Sequence, residues 1–453
     1  MTDKANRLVS PDIHLLYLIT ETNPSLFDEH DLKKAGLCLL DWAAVAVAGS
    51  REPCAKILLD HAQQEGGEAQ STLIGTGRCG TARQAALFNG TAAHAHDFDD
   101  TYPAIPAHTT VPVASAVWAA AERDGRTGLE IITSVITGIE VMCRLGLALC
   151  PDHYRRGWHA SATLGAIGAS AACAKLHGLK GKTIMDALEL AACRAAGTKA
   201  TFGSMAKPLQ LGQAAALGLE SADLAQRGFT SSKRVLNAAD GFYALHSNDF
   251  SDAPLKKPLG EEFHIHGNHF KYHASCFLTH GAIEAAKTFF ADNGDHLSAS
   301  IKQIHVCGHP ELLKVCDNPE PQTGLAAKFS VQFCVALALT GKDTSALTTF
   351  EEHLTRDREL RKLMNKITLE ASANLNHEEA EVIFSLKDES TIKIFGKPIS
   401  SAKPDKERPA VEAKAQSLCE PVVGKDGTSK LIQLFSALQT LDRIPDYSGL
   451  SKR

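Results

Sequence analysis

The stretch Ala166-Ile167-Gly168-Ala169-Ser170-Ala171-Ala172-Cys173-Ala174-Lys175 is almost entirely small side chains and carries no proline. Read at the 3.6-residue period, it predicts a helix whose neighbours can approach closely. The run from Ala187 to Ala200 has the same texture, and Leu32, Leu37, Leu39, Leu40 and Val45 recur near helical spacing. From about Pro11 to Asn248 the pattern therefore predicts helix packed on helix. The breaks fall at Gly49-Ser50, Gly66-Gly67, Gly125-Arg126-Thr127-Gly128 and Gly178-Leu179-Lys180-Gly181, where one helix should stop and another start.

Past residue 260 the texture changes. Ile301 to Val306, Ile367 to Ala371, Glu381 to Leu386 and Thr391 to Phe395 read as strands, with helical stretches at Leu278 to Ala291 and Lys328 to Leu339 between them. After the Pro404-Asp405-Lys406 linker, Val411 to Leu418 and Lys430 to Leu441 return to amphipathic helix. A chain of 453 residues exceeds the roughly 250–300 at which one core stops growing. The expected organisation is mainly α: a helical domain over residues 1–266, an α+β domain over 267–398, and a helical return over 399–453.

Hydrophobic residues make up 44% of the chain and charged residues 22%, ordinary for a globular protein, and the net charge is −5. That balance gives no general attraction to nucleic acid or anionic lipid. The opening MTDKANRLVS lacks a secretory pattern, and no apolar run is expected to approach the about 20 residues of a membrane span, so a cytoplasmic protein is expected. Ser451-Lys452-Arg453 is only loosely similar to a peroxisomal tripeptide. Twelve cysteines are scattered with no C-x-x-C pair, against a disulfide framework or a cysteine-based zinc site.

The chemistry concentrates in His94-Ala95-His96-Asp97-Phe98-Asp99-Asp100-Thr101, followed by His108. Acids this close raise one another's pKa unless cations or donors lie nearby, so the run is solvated, metal-loaded or part of a site. Imidazole and carboxylate suit zinc, iron or manganese, and a helix continuing to Asp97 would put His94 and Asp97 on one face. The spacing fits neither H-E-x-x-H nor H-x-H-x-D-H. Gly75-Thr76-Gly77-Arg78-Cys79-Gly80 matches G-x-G-x-x-G, but only Thr72-Leu73-Ile74 precedes it as a strand, so a glycine turn is the expected reading.

A site without metal must bring its own cations. Lys207, in Gly203-Ser204-Met205-Ala206-Lys207-Pro208, is biased by its proline out of the α region and is expected to project from a helix end. Lys271, in Phe270-Lys271-Tyr272-His273-Ala274-Ser275-Cys276, lies near the domain boundary. His159 opens the small-residue helix, where a partly protonated imidazole would meet a substrate carboxylate. Together these groups suit a polycarboxylate ligand.

The same segments resemble the MmgE/PrpD family, which includes 2-methylcitrate dehydratase, cis-aconitate decarboxylase and iminodisuccinate epimerase. The likeness runs through Asp41 with its trailing Ala-Val-Ala-Val-Ala-Gly, the D-F-D-D-T segment with its histidine, the G-W-H stretch and the Ala-Lys-Pro turn. It continues in K-Y-x-x-S-C-x-x-x-H and Ala327-Lys328-Phe329-Ser330. The resemblance implies a helical domain made from both chain ends, an inserted α+β lid, a homodimer, and chemistry without metal or organic cofactor. It assigns the site to Asp97, Thr101, His108, His159, Lys207 and Lys271. Thr109 follows His108 in place of a proline, and His273-Ala274 replaces a proline and a small residue. Cys276 falls near a histidine of the decarboxylases, and Phe333 near their tyrosine.

The expectation is a cofactor-independent lyase that abstracts a proton alpha to a carboxylate of a di- or tricarboxylic acid, as in dehydration of a citrate-like substrate. His108 is the expected proton carrier, with Asp97 orienting it or sharing the base role. Lys207 would stabilise developing charge, while Thr101, His159, Lys271 and Cys276 bind substrate. Asp99 and Asp100 are read as structural. Alternatives are an epimerase of an iminodisuccinate-like diacid or a cis-aconitate-type decarboxylase. From other classes come a non-catalytic polycarboxylate-binding protein and a metal-dependent hydrolase.

Overall fold

The computed structural model describes residues 10–298, 300–398 and 403–444. It divides into two compact units: a helical one from residues up to 95, 99–270 and 402 onward, and a second from 96–98 and 271–401. The fold is mainly α.

In the helical unit, α1 (Asp12–Glu21), α2 (Glu29–Gly49) and α3 (Pro53–Glu65) precede a short antiparallel hairpin, β1 (Ser71–Leu73) with β2 (Arg78–Gly80). The G-x-G-x-x-G run is the turn and second strand of that hairpin, with Gly75 and Gly77 at positive φ, so its glycines serve a reversal. Next come α4 (Ala82–His94), α5 (Thr110–Asp124), α6 (Gly128–Leu149), α7 (Ala160–Leu176), α8 (Lys182–Ala192) and α9 (Ala206–Gln226). The glycine pairs mark real boundaries. Gly66 caps α3 and Gly125 caps α5, both at positive φ. Thr81 and Thr127 close capping boxes on α4 and α6 with Gln84 and Glu130.

Glycine also sets how closely the helices meet. A Cβ on Gly90 would lie 2.8 Å from the Gly212 Cα, and one on Gly212 only 2.2 Å from the Leu87 carbonyl oxygen. That contact brings the C-terminal end of α4, with His94, against the first turn of α9, with Lys207.

The C-terminal segment, Pro404–Ala437, packs along α2 as two helices joined at Gly424, whose φ of 75° and ψ of 173° are not helical, in keeping with the two tail helices expected from the sequence. Buried ion pairs fix it there: Lys34 with Glu407 at 2.8 Å and Lys414 with Asp41 at 2.6 Å. One expectation is corrected in this unit. α6 is 22 residues long and apolar enough to span a membrane, although 94% of its most apolar window is buried within the protein. It supplies core surface, its Glu140 paired with Arg144 at 2.7 Å.

The second unit carries α10 (His280–Ser298), β3 (Ile301–Gly308), α11 (Pro310–Cys316), α12 (Val331–Leu339), α13 (Arg358–Met364), β4 (Ile367–Ala371), β5 (Ala380–Leu386) and β6 (Thr391–Gly396). Strand order is β4-β3-β5-β6, with β3 parallel to β4 and the other pairs antiparallel. β5 alternates buried and half-buried residues, and its buried face, Val382 and Phe384 among it, turns toward α10, where Phe289 stacks on Phe384. The four predicted strands lie within two residues of the observed ones at every end. Residues 1–9 and 445–453, including Ser451-Lys452-Arg453, lie outside the described residues.

Candidate active site

α4 ends at His94, so the helix does not continue to Asp97 and the one-face pairing of His94 with Asp97 is not formed. Beyond His94 the chain turns a buried corner. Asp97 has φ 52°, the left-handed region that a short polar side chain tolerates better than most. The acidic run is shared between the units: residues 96–98 group with the second, Asp99 onward with the helical one.

In the helical unit the organising group is Asp99. Its Oδ1 lies 2.8 Å from His94 Nδ1, and its Oδ2 lies 2.9 Å from His108 Nδ1. Burial opposes its charge, but His108 and His94 outweigh that and hold the carboxyl well below its ordinary range. A charged acceptor at Nδ1 fixes the proton there on His94. The other nitrogen, Nε2, accepts from Lys207 Nζ at 2.7 Å. The result is a chain of carboxylate, imidazole and ammonium drawn from the end of α4, the loop after it and the start of α9. Lys207 lies inside the first turn of α9, not beyond a preceding helix. Pro208 is tolerated there because first-turn amides lack helical acceptors. The side chain of Lys207 also lies 5.1 Å from the ring of Phe202.

Burial pushes the His94 pKa down to about 4 against the pull of Asp99, and Lys207 adds to the shift. Because the unfolded residue titrates near 6.5, the unfolded chain takes up this proton first as pH falls. Stability should therefore fall between about pH 6.5 and pH 4 and then level. The effect amounts to up to roughly 3 kcal/mol. His94→Asn should flatten that decline in denaturant unfolding at several pH values; an unchanged slope would show that His94 does not titrate this way.

His159 caps α7 without a side-chain cap bond. Its Nδ1 lies 2.6 Å from Gln210 Oε1, while Gln210 Nε2 donates to the Thr198 carbonyl at 3.3 Å and to Thr201 Oγ1 at 3.0 Å. Those bonds orient the amide, so His159 donates from Nδ1 and its Nε2 carries the lone pair. Burial first, and then Lys207, hold its pKa well below the usual value. His159 is thus a neutral acceptor, which corrects the expected partly protonated cation. Lys207 is the positive group on this side.

Thr101 is buried, its hydroxyl donating to the Ala107 carbonyl at 3.2 Å and its backbone pairing with His269. That pairing and the Tyr102–Ala107 bridge shape the loop that presents His108. Asp100 anchors the corner, accepting from Thr110 Oγ1 and from Asn268 Nδ2, while its amide donates to Asp41 at 3.1 Å. Burial, then Asp41, raise the Asp100 pKa to about 7. These bonds hold Asp100 at the corner, and the carboxylate beside the His108 ring within this unit is that of Asp99.

In the second unit Lys271, itself buried, donates to the Asp97 carbonyl at 2.6 Å and pairs with its carboxylate at 3.1 Å. Lys328, also buried, donates to the His96 carbonyl at 2.9 Å. The amide of Cys276 donates to the Lys328 carbonyl. A hydrogen bond from Cys316 lowers the Cys276 thiol pKa. His273, standing where the family pattern has proline, is held between Glu284 at 2.6 Å and Thr344 at 2.7 Å. Phe333 is fully buried in α12 against Phe350.

Sequence reasoning gives no task to His94, Gln210 or Lys328. His94 and Lys328 stand in motif segments, but nothing in spacing tells that an imidazole will meet an ammonium 113 positions away. As metal donors, His94, Asp99 and His108 each place one atom within 4.8 Å of the others. Yet both Nδ1 atoms face Asp99 and His94 Nε2 faces an ammonium, an arrangement suited to proton relay and hostile to a divalent cation.

Residues 15–254 match the MmgE/PrpD N-terminal domain and residues 273–440 the MmgE/PrpD C-terminal domain. Among curated relatives, a cis-aconitate decarboxylase of Aspergillus terreus is 28% identical over 449 aligned residues, covering 92% of this chain and 90% of that protein. The human cis-aconitate decarboxylase is 28% identical over 380, covering 79% of this chain and 77% of that protein. With both domain models matched in order along most of its length, and the aspartate, histidine and lysine segments in place, the chain belongs to the MmgE/PrpD family.

Proposed function

We propose that the protein is a cofactor-independent lyase acting on a di- or tricarboxylic acid by proton transfer at the carbon alpha to a carboxylate. The observation that carries this reading is the single buried carboxylate, Asp99, holding two imidazoles, one of them in contact with the Lys207 ammonium. With Nδ1 turned to Asp99, His108 offers the lone pair of Nε2 as base, and its side chain is 12% exposed where that of His94 is fully buried. The C–H proton goes to His108, and the electron pair spreads onto the adjacent carboxylate. Lys207 neutralises the charge that builds there. In the dehydration we favour, that pair then forms the C=C bond while the hydroxyl on the next carbon takes up a proton and leaves as water. Asp97, Lys271, Thr101 and His159 are assigned to the same reaction by the family pattern, and Cys276 is placed beside them as a substrate-binding residue that departs from it.

Cys276 and Phe333, in place of a histidine and a tyrosine of the decarboxylases, weigh against decarboxylation and do not separate dehydration from epimerisation. The relatives' names favour a second reading, decarboxylation of cis-aconitate, in which a C–C bond breaks, carbon dioxide leaves and the carbanion is protonated. Proton NMR in deuterated water on citrate, 2-methylcitrate, cis-aconitate and an iminodisuccinate-like diacid separates them. Alkene formation from citrate or 2-methylcitrate is the expected result. Loss of carbon dioxide from cis-aconitate establishes the second reading, and deuterium entering without net loss indicates epimerisation. Heat stabilisation by these acids with no product would replace the enzyme by a binding protein. The reading includes a homodimer in the cytosol, and a solution mass near that of a single chain would remove the dimer.

A further inference from the structure

Lys328 has a position that stability alone does not explain. It comes after the short helix Gly324–Ala327 and precedes Ser330, whose hydroxyl caps α12 by accepting from the Phe333 amide at 3.1 Å. Its own carbonyl accepts from the Cys276 amide at 2.9 Å, so the backbone is pinned on both sides. From there an ammonium-bearing side chain, only 4% exposed, runs past the ring of Phe350 at 5.3 Å to the His96 carbonyl at 2.9 Å. Burying an ammonium is costly even when it is paired, and an apolar side chain of similar length would fill the space at lower cost.

The next residue along the chain is Asp97, at φ 52°. A non-glycine residue held in that region is strained and persists only where its surroundings over-determine it. Two buried ammonium groups do so here. Lys271 grips the Asp97 carbonyl at 2.6 Å and its carboxylate at 3.1 Å, while Lys328 grips the carbonyl one residue earlier. The corner is thereby held at successive peptide groups, and the carboxylate has one orientation.

We propose that Lys328 is a positioning residue: with Lys271 it clamps the His96–Phe98 tripeptide so that Asp97 is presented to the reaction in a single left-handed conformation. This rests on the reading that Asp97 takes part in that reaction. Lys328 acts through Asp97 and does not itself touch substrate.

The test uses the full chain and whichever of citrate, 2-methylcitrate and cis-aconitate it converts. Lys328→Met should lower kcat about 100-fold, as a displacement of roughly 1 Å does, with KM changed less than about two-fold. In an Asp97→Asn background the same substitution should change kcat less than about two-fold, because the group it positions is already disabled. Should the methionine variant fail to fold, Lys328→Gln, which keeps an N–H donor, is measured through the same cycle. A crystal structure of either variant gives a readout independent of turnover: Asp97 should leave the left-handed region or lose its contact with Lys271.

Unchanged kcat in Lys328→Met with Asp97→Asn inactive overturns the clamp alone. So does an equal loss in both backgrounds, a rise in KM without loss of kcat, or an unaltered Asp97 corner in the variant crystal. Full turnover in Asp97→Asn removes Asp97 from the reaction and the clamp with it.

Discussion

Lys207→Met is expected to lower turnover roughly 100–1,000-fold with the helical fold retained, the loss typical of removing one preorganised electrostatic contact. Lys207 stands in the first turn of α9. The first turn of α9 is the positive end of a helix dipole, an unfavourable place for an ammonium unless an anion is to be held there. Lys207 is 4% exposed and directs its ammonium at a neutral imidazole, a contact that fixes its position without neutralising its charge. It also helps keep His94 and His159 neutral. Methionine preserves the side-chain length and the contact with Phe202 while removing charge and donor. Steady-state kinetics with circular dichroism on the same samples measures it; near-normal turnover would take Lys207 out of the mechanism.

Asp99→Asn should be more damaging, on the order of 1,000-fold or more in turnover, because one substitution releases two histidines. An amide has one oxygen where the carboxylate sets Oδ1 2.8 Å from His94 Nδ1 and Oδ2 2.9 Å from His108 Nδ1, so His94 can turn its lone pair away from Lys207 and His108 loses the negative charge beside its Nδ1. Stability should fall as well, by about 3 kcal/mol, since breaking a buried ionic hydrogen-bond network strands its partners. The sign with pH comes from the depressed Asp99 pKa. Its stabilisation is present above the unfolded value of 3.8 and is lost as pH falls through the lower folded value, so the variant's deficit should be largest near neutrality and shrink in acid. Full activity in Asp99→Asn would leave His108 without its proposed orienting group and would return Asp97 to that role.

These two residues also show how unevenly the site can be read from sequence. Lys207, His108 and His159 stand out as titratable residues beside proline, threonine and tryptophan, in segments shared with the MmgE/PrpD family. Asp99 stands in the same run and reads as structural, because three acids within four residues give no indication of which one two histidines will share. His94 belongs to the cluster, yet its sequence neighbours give it no task. The charge state of His159 is hidden for a related reason: protonation depends on burial and on a lysine 48 residues later in the chain, neither of which is local.

The order of amino acids alone dictates the helices, their glycine boundaries, the four strands and the chemical type of the site. All of these arise from periodicity, caps and residue type over short windows, where local physics dominates. Packing in three dimensions dictates that Gly90 and Gly212 dock α4 on α9 so that His94 meets Lys207, and that Asp99 bridges two imidazoles. It likewise makes Lys271 and Lys328 pin a left-handed Asp97. Each of these depends on separations of a few ångströms between residues distant in the chain, and on the loss of water around them, which no linear spacing encodes.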